Sequence, residues 1–263
     1  MTVTTGKALV TGAGKRLGRA MALYLGARGF DVAVHYATSA EGAAEVVGQI
    51  RAMGQQADAL QADLTDPAQM QALVGRAVAA LGGPLTLLVN NASIFDYDTL
   101  VTATAESWHR HMASNLQAPF MLMQAFAAQA PRAAQDTDGE PIAQALVVNM
   151  VDQRVLKPTP EFMTYSLAKA GLWTLTRTAA QALAPHVRVN AIGPGPTMQG
   201  ARQTGTHFAR QRAATLLQRG ANADDITAAL GYLVDAPAVT GQLLAVDGGQ
   251  HLVWQTPDIL GVE

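Results

Sequence analysis

The sequence predicts a single α/β domain, a parallel sheet covered by helices on both faces. Three observations carry that prediction. Short apolar runs alternate with longer helical patterns in a constant order along the chain, as successive β-α units require. A length of 263 residues with 49% hydrophobic content is enough to bury one large core. A glycine-rich turn, Thr11-Gly12-Ala13-Gly14-Lys15-Arg16-Leu17-Gly18, sits at the first strand-helix junction.

Taken in order, Ala8-Leu9-Val10 forms the first strand, and a helix follows from Leu17 to Arg28, closed by Gly29. Val32-Ala33-Val34 is the second strand. Thr38 with Glu41 has the spacing of a capping box for the next helix, and Gly54 closes it. Ala57 to Ala62 reads as the third strand. Asp66-Pro67 opens the following helix, with proline at the first position, where its missing N–H costs nothing. Leu85 to Val89 is the fourth strand and Trp108 to Ala130 a long amphipathic helix. Pro131 to Gly139 is polar, lacks periodicity and reads as a surface loop. Ala145 to Met150 is the fifth strand, followed by a helix from Tyr165 to Ala184. Val187 to Ile192 is the sixth strand and Leu243 to Val246 the seventh, with Asp225 to Val234 helical between them. The Gly-, Pro- and Thr-rich stretch from Gly193 to about His207 reads as a mobile lid. The whole span 1–263 is taken as one domain.

Composition excludes several function classes. With 18 basic and 20 acidic residues the net charge is −2, which favours neither nucleic acid nor a membrane surface. Cysteine is absent, so disulfides, Cys-ligated metals and Cys nucleophiles are ruled out. Met1 to Lys7 lacks the apolar run of a signal peptide, and no stretch reaches the roughly 18 apolar residues of a membrane span. A cytoplasmic location is expected. His109 and His111 are two apart and face different sides of a helix, so they make no metal pair.

The glycine turn permits close backbone approach to a pyrophosphate and exposes helix N–H groups to it. Sites selective for NAD usually carry an acid near the end of the second strand, to bind the ribose hydroxyls. Here that strand ends His35-Tyr36-Ala37-Thr38-Ser39, with no carboxylate, while Asp31 lies at the wrong end. A 2′-phosphate would meet hydroxyls, helix N–H groups and the cations Lys15 and Arg16. Thr38 and Ser39 also suit helix capping, and the two roles are compatible. The expected cofactor is therefore NADPH/NADP. Asp63, followed by Leu64 after the third strand, is placed to accept from an adenine amino group or to make a turn. Asn90-Asn91-Ala92-Ser93 ends the fourth strand beside the nicotinamide-ribose position.

Tyr165 and Lys169 are four apart at the start of a helix and project from one face. An ammonium beside a phenol favours phenolate, which pulls the phenol toward the working range of an acid. Lys169 also reaches the cofactor ribose. Asn115 suits either a water relay or a buried structural role.

Together the turn, Asn90-Asn91-Ala92, Asn115, Tyr165/Lys169, Pro194-Gly195 and Asp247-Gly248-Gly249 resemble the short-chain dehydrogenase/reductase family over nearly the whole chain. The resemblance implies a single-domain Rossmann fold with a seven-stranded parallel sheet in the order 3-2-1-4-5-6-7. It also implies cofactor contacts from Gly12, Lys15, Arg16, Leu17, Gly18, His35, Tyr36, Thr38, Ser39, Asp63, Leu64, Asn91, Ala92, Ser93, Tyr165, Lys169, Pro194 and Gly195. A homotetramer is implied too, and Trp173 to Leu183 suits a subunit contact.

Two departures from the family pattern are informative. Arg16 stands where a third turn glycine is usual, and Asp152 stands where a serine is usual, thirteen residues before the tyrosine. The serine donates to a substrate carbonyl, whereas an ionised carboxylate has no proton to donate. Aspartate suits a substrate that presents ring N–H groups. Arg16, His35-Tyr36 with Ser39, Asn91-Ala92-Ser93 with Phe95, and Asn149-Met150-Val151-Asp152 are similar to the pteridine reductase branch. That branch implies NADPH-dependent reduction of a pterin or dihydrofolate-like small molecule. Phe95 would stack on the pterin, and Arg16, Ser93, Asp152 and Tyr165 would contact it. The competing readings are a carbonyl (ketoacyl-type) reductase and a non-catalytic NADP-sensing module.

Overall fold

The structure, a computed structural model, describes residues 6–200 and 203–256. The elements begin β1 (Lys7–Val10), α1 (Arg16–Ala27), β2 (Asp31–Tyr36), α2 (Ala40–Ala52), β3 (Ala57–Gln61), α3 (Pro67–Leu81) and β4 (Leu87–Asn90). They continue α4 (Ala105–Met112), α5 (Ala118–Gln129), β5 (Ala134–Gln135), β6 (Pro141–Ile142), β7 (Ala145–Met150) and α6 (Met163–Leu183). The chain then forms β8 (Val187–Pro194), α7 (Gly205–Ala213), α8 (Ala223–Asp235) and β9 (Leu243–Val246).

Seven strands pair in parallel in the order β3-β2-β1-β4-β7-β8-β9. This is the Rossmann order expected, with β5 and β6 set apart as a separate hairpin. Helices cover both faces, so the central strands read as unbroken apolar runs rather than alternating ones. Every residue of β4 and β7 is buried. One face packs Met21, Leu25, Val46, Ile50, Ile226 and Leu230 from α1, α2 and α8. The other packs Met70, Leu73, Leu81, Leu122 and Phe126 from α3 and α5. The strand order reverses between β1 and β4, and their C-terminal ends open the crevice where such sheets bind ligands.

Several boundaries differ from the sequence expectation. Leu85 precedes the ladder of β4, because its N–H donates to the Gln129 side chain at 2.7 Å. The long helix expected from Trp108 starts earlier, at Ala105, where Thr104 and Ser107 form a capping box. It is also interrupted. Pro119 has no N–H to close the usual bond to the fourth residue before it. The helix widens to a π-turn over Ala113–Gln117, with Ala118 N–H donating to Ala113 O. The polar stretch after Pro131 contains the short β5-β6 hairpin.

The capping box expected at Thr38 and Glu41 does not form; Ser39 is the N-cap of α2, without a side-chain cap. Asp66 caps α3 as expected, its Oδ1 accepting from Ala68 N at 2.9 Å, with Pro67 at the helix start. The stretch read as a lid is partly helical, since Thr204 accepts from His207 N–H and opens α7. Positions 201–202, the C-terminal tail after 256 and residues 1–5 lie outside the described residues.

Candidate active site

The glycine turn after β1 is shaped by backbone approach. Gly12 has φ +65°, and a Cβ on Gly18 would lie 2.2 Å from Gly12 O. A Cβ on Gly14 would meet Ser39 O at 2.9 Å, so α2 closes directly on the turn. Arg16, in the place of the third glycine, takes φ +52°, a left-handed conformation that favours glycine. Its guanidinium donates to the carbonyls of Gln199 and Met198 at 2.7 and 3.1 Å, tying the turn to the 193–207 segment.

Two side chains hold the turn from behind. His35 Nδ1 accepts from Gly12 N–H at 3.0 Å, and its Nε2 lies 3.1 Å from Ala62 O. The backbone amide fixes the tautomer: Nε2 carries the hydrogen and donates to the carbonyl. Burial pushes the His35 ring down to about 4, so it stays neutral. Asn91 Nδ2 donates to Thr11 O at 2.8 Å, joining the turn to the end of β4.

These residues wall a cleft of about 360 Å³. Of the expected cofactor contacts, the turn residues, His35-Tyr36, Thr38-Ser39, Asp63-Leu64 and Asn91-Ala92-Ser93 all line it. Gly14 and Ala37, within the stretches read as cofactor-binding, line it as well, and so do Thr65, Ile94 and Ser114, which were not foreseen. Lys15 and Ser39, the N-caps of α1 and α2, make no side-chain cap, so both helices open into the cleft without a capping side chain. Uncapped helix N-termini, a turn whose glycines admit no Cβ, and Lys15, Thr38 and Ser39 in the lining fit a dinucleotide with a ribose phosphate. Asp63 turns its Oδ1 to Thr65, accepting from the backbone N–H at 2.8 Å and from the hydroxyl at 2.7 Å.

Beyond the cleft stand the residues expected to carry chemistry. Asp152 follows β7, and Tyr165 and Lys169 lie in the first turns of α6. Tyr165 Oη donates to Asp152 Oδ2 at 2.9 Å, and Asp152 Oδ1 accepts from Arg154 N–H at 2.9 Å. Both carboxylate oxygens therefore accept, as an ionised group requires. Lys169 Nζ donates to Met150 O at 2.7 Å and lies 5.7 Å from the Tyr165 ring centroid.

The electrostatics correct one expectation. Tyr165 is not drawn toward phenolate by Lys169. Burial and the Asp152 carboxylate hold the phenol well above its ordinary value, with Arg154 opposing. Burial also raises Asp152, against the Arg154 N–H and the Tyr165 hydroxyl, and lowers Lys169 to about 8. Tyr165 thus keeps its hydroxyl proton.

Asn115, in the π-turn, spends its amide on one partner: Oδ1 accepts from Ile94 N–H at 2.9 Å and Nδ2 donates to Ile94 O at 2.8 Å. Its side chain thereby fixes the segment before Phe95. Pro194 ends β8, and Gly195 is forced by the sheet edge, where a Cβ would lie 2.6 Å from Asp247 Cβ.

Phe95 stacks on Phe162 at 4.3 Å and meets Tyr165 edge-on at 4.6 Å. At 42% exposed it is not a core residue. Phe162 was missed by sequence reasoning, because its approach to Phe95 depends on a φ of +55° at the N-cap of α6. Asp98 takes over the capping of α6 from another loop: its Oδ1 accepts from Thr164 N–H at 3.1 Å. His111 Nδ1 lies 2.7 Å from the Thr164 hydroxyl, and its Nε2 accepts from Asp96 N–H at 3.1 Å. Among the described residues no group of His, Asp and Glu forms a metal site, and no helix is long and apolar enough to cross a membrane.

The short chain dehydrogenase family model matches residues 6–208. A curated relative, 3-oxoacyl-(acyl-carrier-protein) reductase FabG of Staphylococcus aureus, is 32% identical over 253 residues, covering 94% of this chain and 99% of its own length. Among solved structures, FolM alternative dihydrofolate reductase 1 from Brucella suis, in complex with NADP, is 40% identical with a TM-score of 0.90. The alignment covers 98% of this chain and all of that one (100%). The Brucella canis protein of the same name, also with NADP, is 39% identical with a TM-score of 0.88, covering 99% of each chain.

Proposed function

The chain belongs to the short-chain dehydrogenase/reductase family as an NADP-dependent oxidoreductase, and from that premise we propose that it reduces a C=N bond of a pterin or dihydrofolate-type substrate. The observation that carries this reading is the Tyr165–Asp152 hydrogen bond of 2.9 Å. A carboxylate that accepts from the acid itself occupies the position from which a hydroxyl would donate to a ketone. Pterin rings present N–H donors, and an ionised Asp152 accepts from them while it orients Tyr165. The similarity to FolM alternative dihydrofolate reductases at 39–40% identity supports the same choice.

NADPH, when bound, supplies the hydride. Tyr165 donates the accompanying proton to the substrate nitrogen, and its raised pKa keeps that proton in place until the substrate arrives. The phenolate left behind sits near the Lys169 ammonium and the Arg154 guanidinium, which offset its charge. Lys169 also holds the ribose. Phe95 presents its ring to the planar substrate, and Arg16 and Ser93 line the cleft that joins substrate to cofactor. Asn115 contributes by fixing Ile94, one residue before Phe95.

A second reading, a ketoacyl-type carbonyl reductase, is favoured by the 32% identity to FabG and by the burial that raises Asp152 toward protonation. The test is NADPH oxidation over a panel of dihydropterins, dihydrofolate and ketoacyl thioesters. Turnover of pterins above ketones is expected, and the reverse order rejects the pterin reading. A homotetrameric, cytoplasmic enzyme completes the proposal, and sedimentation velocity tests the tetramer.

A further inference from the structure

Arg154 lies two residues beyond Asp152, in the short turn between β7 and α6, and its side chain reaches the substrate wall. The guanidinium carbon stands 5.0 Å over the ring of Phe162, the residue that stacks on Phe95 at 4.3 Å. Tyr97 closes the same cluster, edge-on to Phe162 at 5.1 Å. The guanidinium donates through one nitrogen to the Thr159 hydroxyl, a neutral partner. Among the described residues no carboxylate comes within ion-pair distance of it. Asp152, two residues earlier, takes Arg154's backbone N–H and the Tyr165 hydroxyl and meets the guanidinium only through space.

Arg154 is half-buried as a residue, while the end of its side chain that meets Thr159 is exposed and open to a ligand. Here packing over an aromatic face holds it in place and leaves most of its five donors unspent. Its position, beside the aromatic wall and next to the acid–carboxylate pair, is where a substituent on a ring bound at that pair would pass. We infer that Arg154 reads an anionic group on the substrate, a carboxylate or a phosphate ester carried on the side chain of the pterin. The inference rests on the pterin reading and adds that the preferred substrate is an anion, not a neutral pterin.

The test compares kcat/KM for three substrates in the full-length wild type, Arg154→Met and Arg154→Lys, with NADPH fluorescence confirming that each variant is folded. Dihydrofolate carries carboxylates, a dihydroneopterin phosphate ester carries phosphate, and dihydrobiopterin carries neither. Charge-assisted bonds to a fork-shaped donor predict that Arg154→Met lowers the ratio of anionic to neutral substrate by about tenfold or more, mostly through KM. Arg154→Lys should recover part of that ratio, since it restores charge without the fork. Whichever anionic substrate shows the larger change identifies carboxylate or phosphate as the group recognised. An unchanged ratio overturns the inference, including the case where all three substrates fall together, because uniform loss marks a charge acting on Asp152 and Tyr165 alone. Wild-type enzyme that turns over no pterin overturns the proposed function and this inference with it. Wild-type turnover with an unchanged ratio overturns this inference only.

Discussion

Tyr165 Oη and Asp152 Oδ2 lie 2.9 Å apart, donor to acceptor, at the junction of β7 and α6. The carboxylate's second oxygen is held by the Arg154 N–H, so the pair is oriented before any substrate arrives. That arrangement raises the phenol well above its ordinary value, through burial first and the Asp152 charge second. In the proposed reaction the phenol is thus held with its proton, and the cations nearby would act on the charge that develops when that proton leaves.

In the proposed reaction Lys169 sets the alkaline side of the activity. Burial lowers it from 10.5 to about 8 in the free enzyme. Below that value it is an ammonium that can hold a ribose and offset a phenolate; above it, it is neutral. NADPH affinity and kcat/KM should both decline as pH rises through about 8, and the free enzyme's midpoint should appear in kcat/KM. Stability runs the other way. The unfolded chain keeps the lysine proton up to about 10.5, so the contribution of this group is complete only above that pH and is lost as pH falls toward 8. A flat NADPH dissociation constant between pH 7 and 9 would show that the lysine does not act as a cation there.

His35 sets an acid limit on the fold. Its ring accepts from Gly12 N–H and donates to Ala62 O, and no proton can be added without breaking the first bond. Its folded value near 4 lies below the ordinary 6.5, so the unfolded chain takes up the proton first. Stability is complete above 6.5 and is lost as pH falls toward 4, by roughly 3 kcal/mol if the whole difference is realised. Thermal melts from pH 7 to 4 should show the decline. His35→Asn, whose Oδ1 replaces Nδ1 as acceptor without titrating, should reduce it. His111, also lowered by burial, contributes in the same direction. Equal slopes for wild type and variant would exclude His35 as the source.

The fold and the cofactor end were legible because they rest on local rules. Alternating apolar runs located all seven sheet strands within a few residues, and the glycine turn marked the cleft on backbone grounds alone. Tyr165 and Lys169 stood out by their spacing, and Asp152 by standing where the resembled family has a serine. What escaped depends on contacts distant in sequence. Asp98 caps α6 across 66 residues, and no pattern near Tyr165 announces it. The capping box read at Thr38 failed because α2 closes against Gly14 and leaves its first turn to face the cleft. The phenol's pKa was misjudged because the Tyr-x-x-x-Lys spacing reveals the cation but not the burial or the carboxylate bonded to the hydroxyl. Phe162 was invisible because a phenylalanine gives no sequence cue to a left-handed backbone.

Cofactor choice follows from the end of β2. Tyr36, Ala37, Thr38 and Ser39 line the cleft with Lys15, and the uncapped N-terminus of α2 opens into it. With about 1.5–3 kcal/mol for each charge-assisted contact, NADPH should be preferred over NADH by at least about tenfold in kcat/KM. Ala37→Asp places a carboxylate among these groups and should erode the preference. Equal kcat/KM for the two cofactors in the wild type refutes the assignment.

Phe95 distinguishes a substrate contact from a packing role. It is 42% exposed and stacks on Phe162, so Phe95→Ala should leave the melting temperature nearly unchanged. If it stacks on the substrate ring, the loss of about 0.5–1.5 kcal/mol should raise KM for pterins several-fold while NADPH binding holds. A large fall in melting temperature with unaltered pterin kinetics would mean that the ring serves packing alone.

Asp152 decides between the two enzyme readings. In pterin reduction the carboxylate accepts from a ring N–H and from Tyr165. In ketone reduction the same position must donate to oxygen, which the ionised group cannot do. Asp152→Ser should therefore cut kcat/KM for pterins by about 10²–10⁴, the range of a positioned acid–base group. It should leave any weak ketone activity intact or improve it, since it introduces a hydroxyl donor. Asp152→Asn keeps the shape and loses the charge, and should also be poor with pterins. Both variants leave Oδ1 or a hydroxyl near the Arg154 N–H, so circular dichroism and NADPH fluorescence should match wild type. Full pterin turnover by Asp152→Ser would sink the substrate assignment. The loss of pterin turnover in both variants, with ketone activity spared in the serine one, requires the ionised carboxylate at the reacting nitrogen.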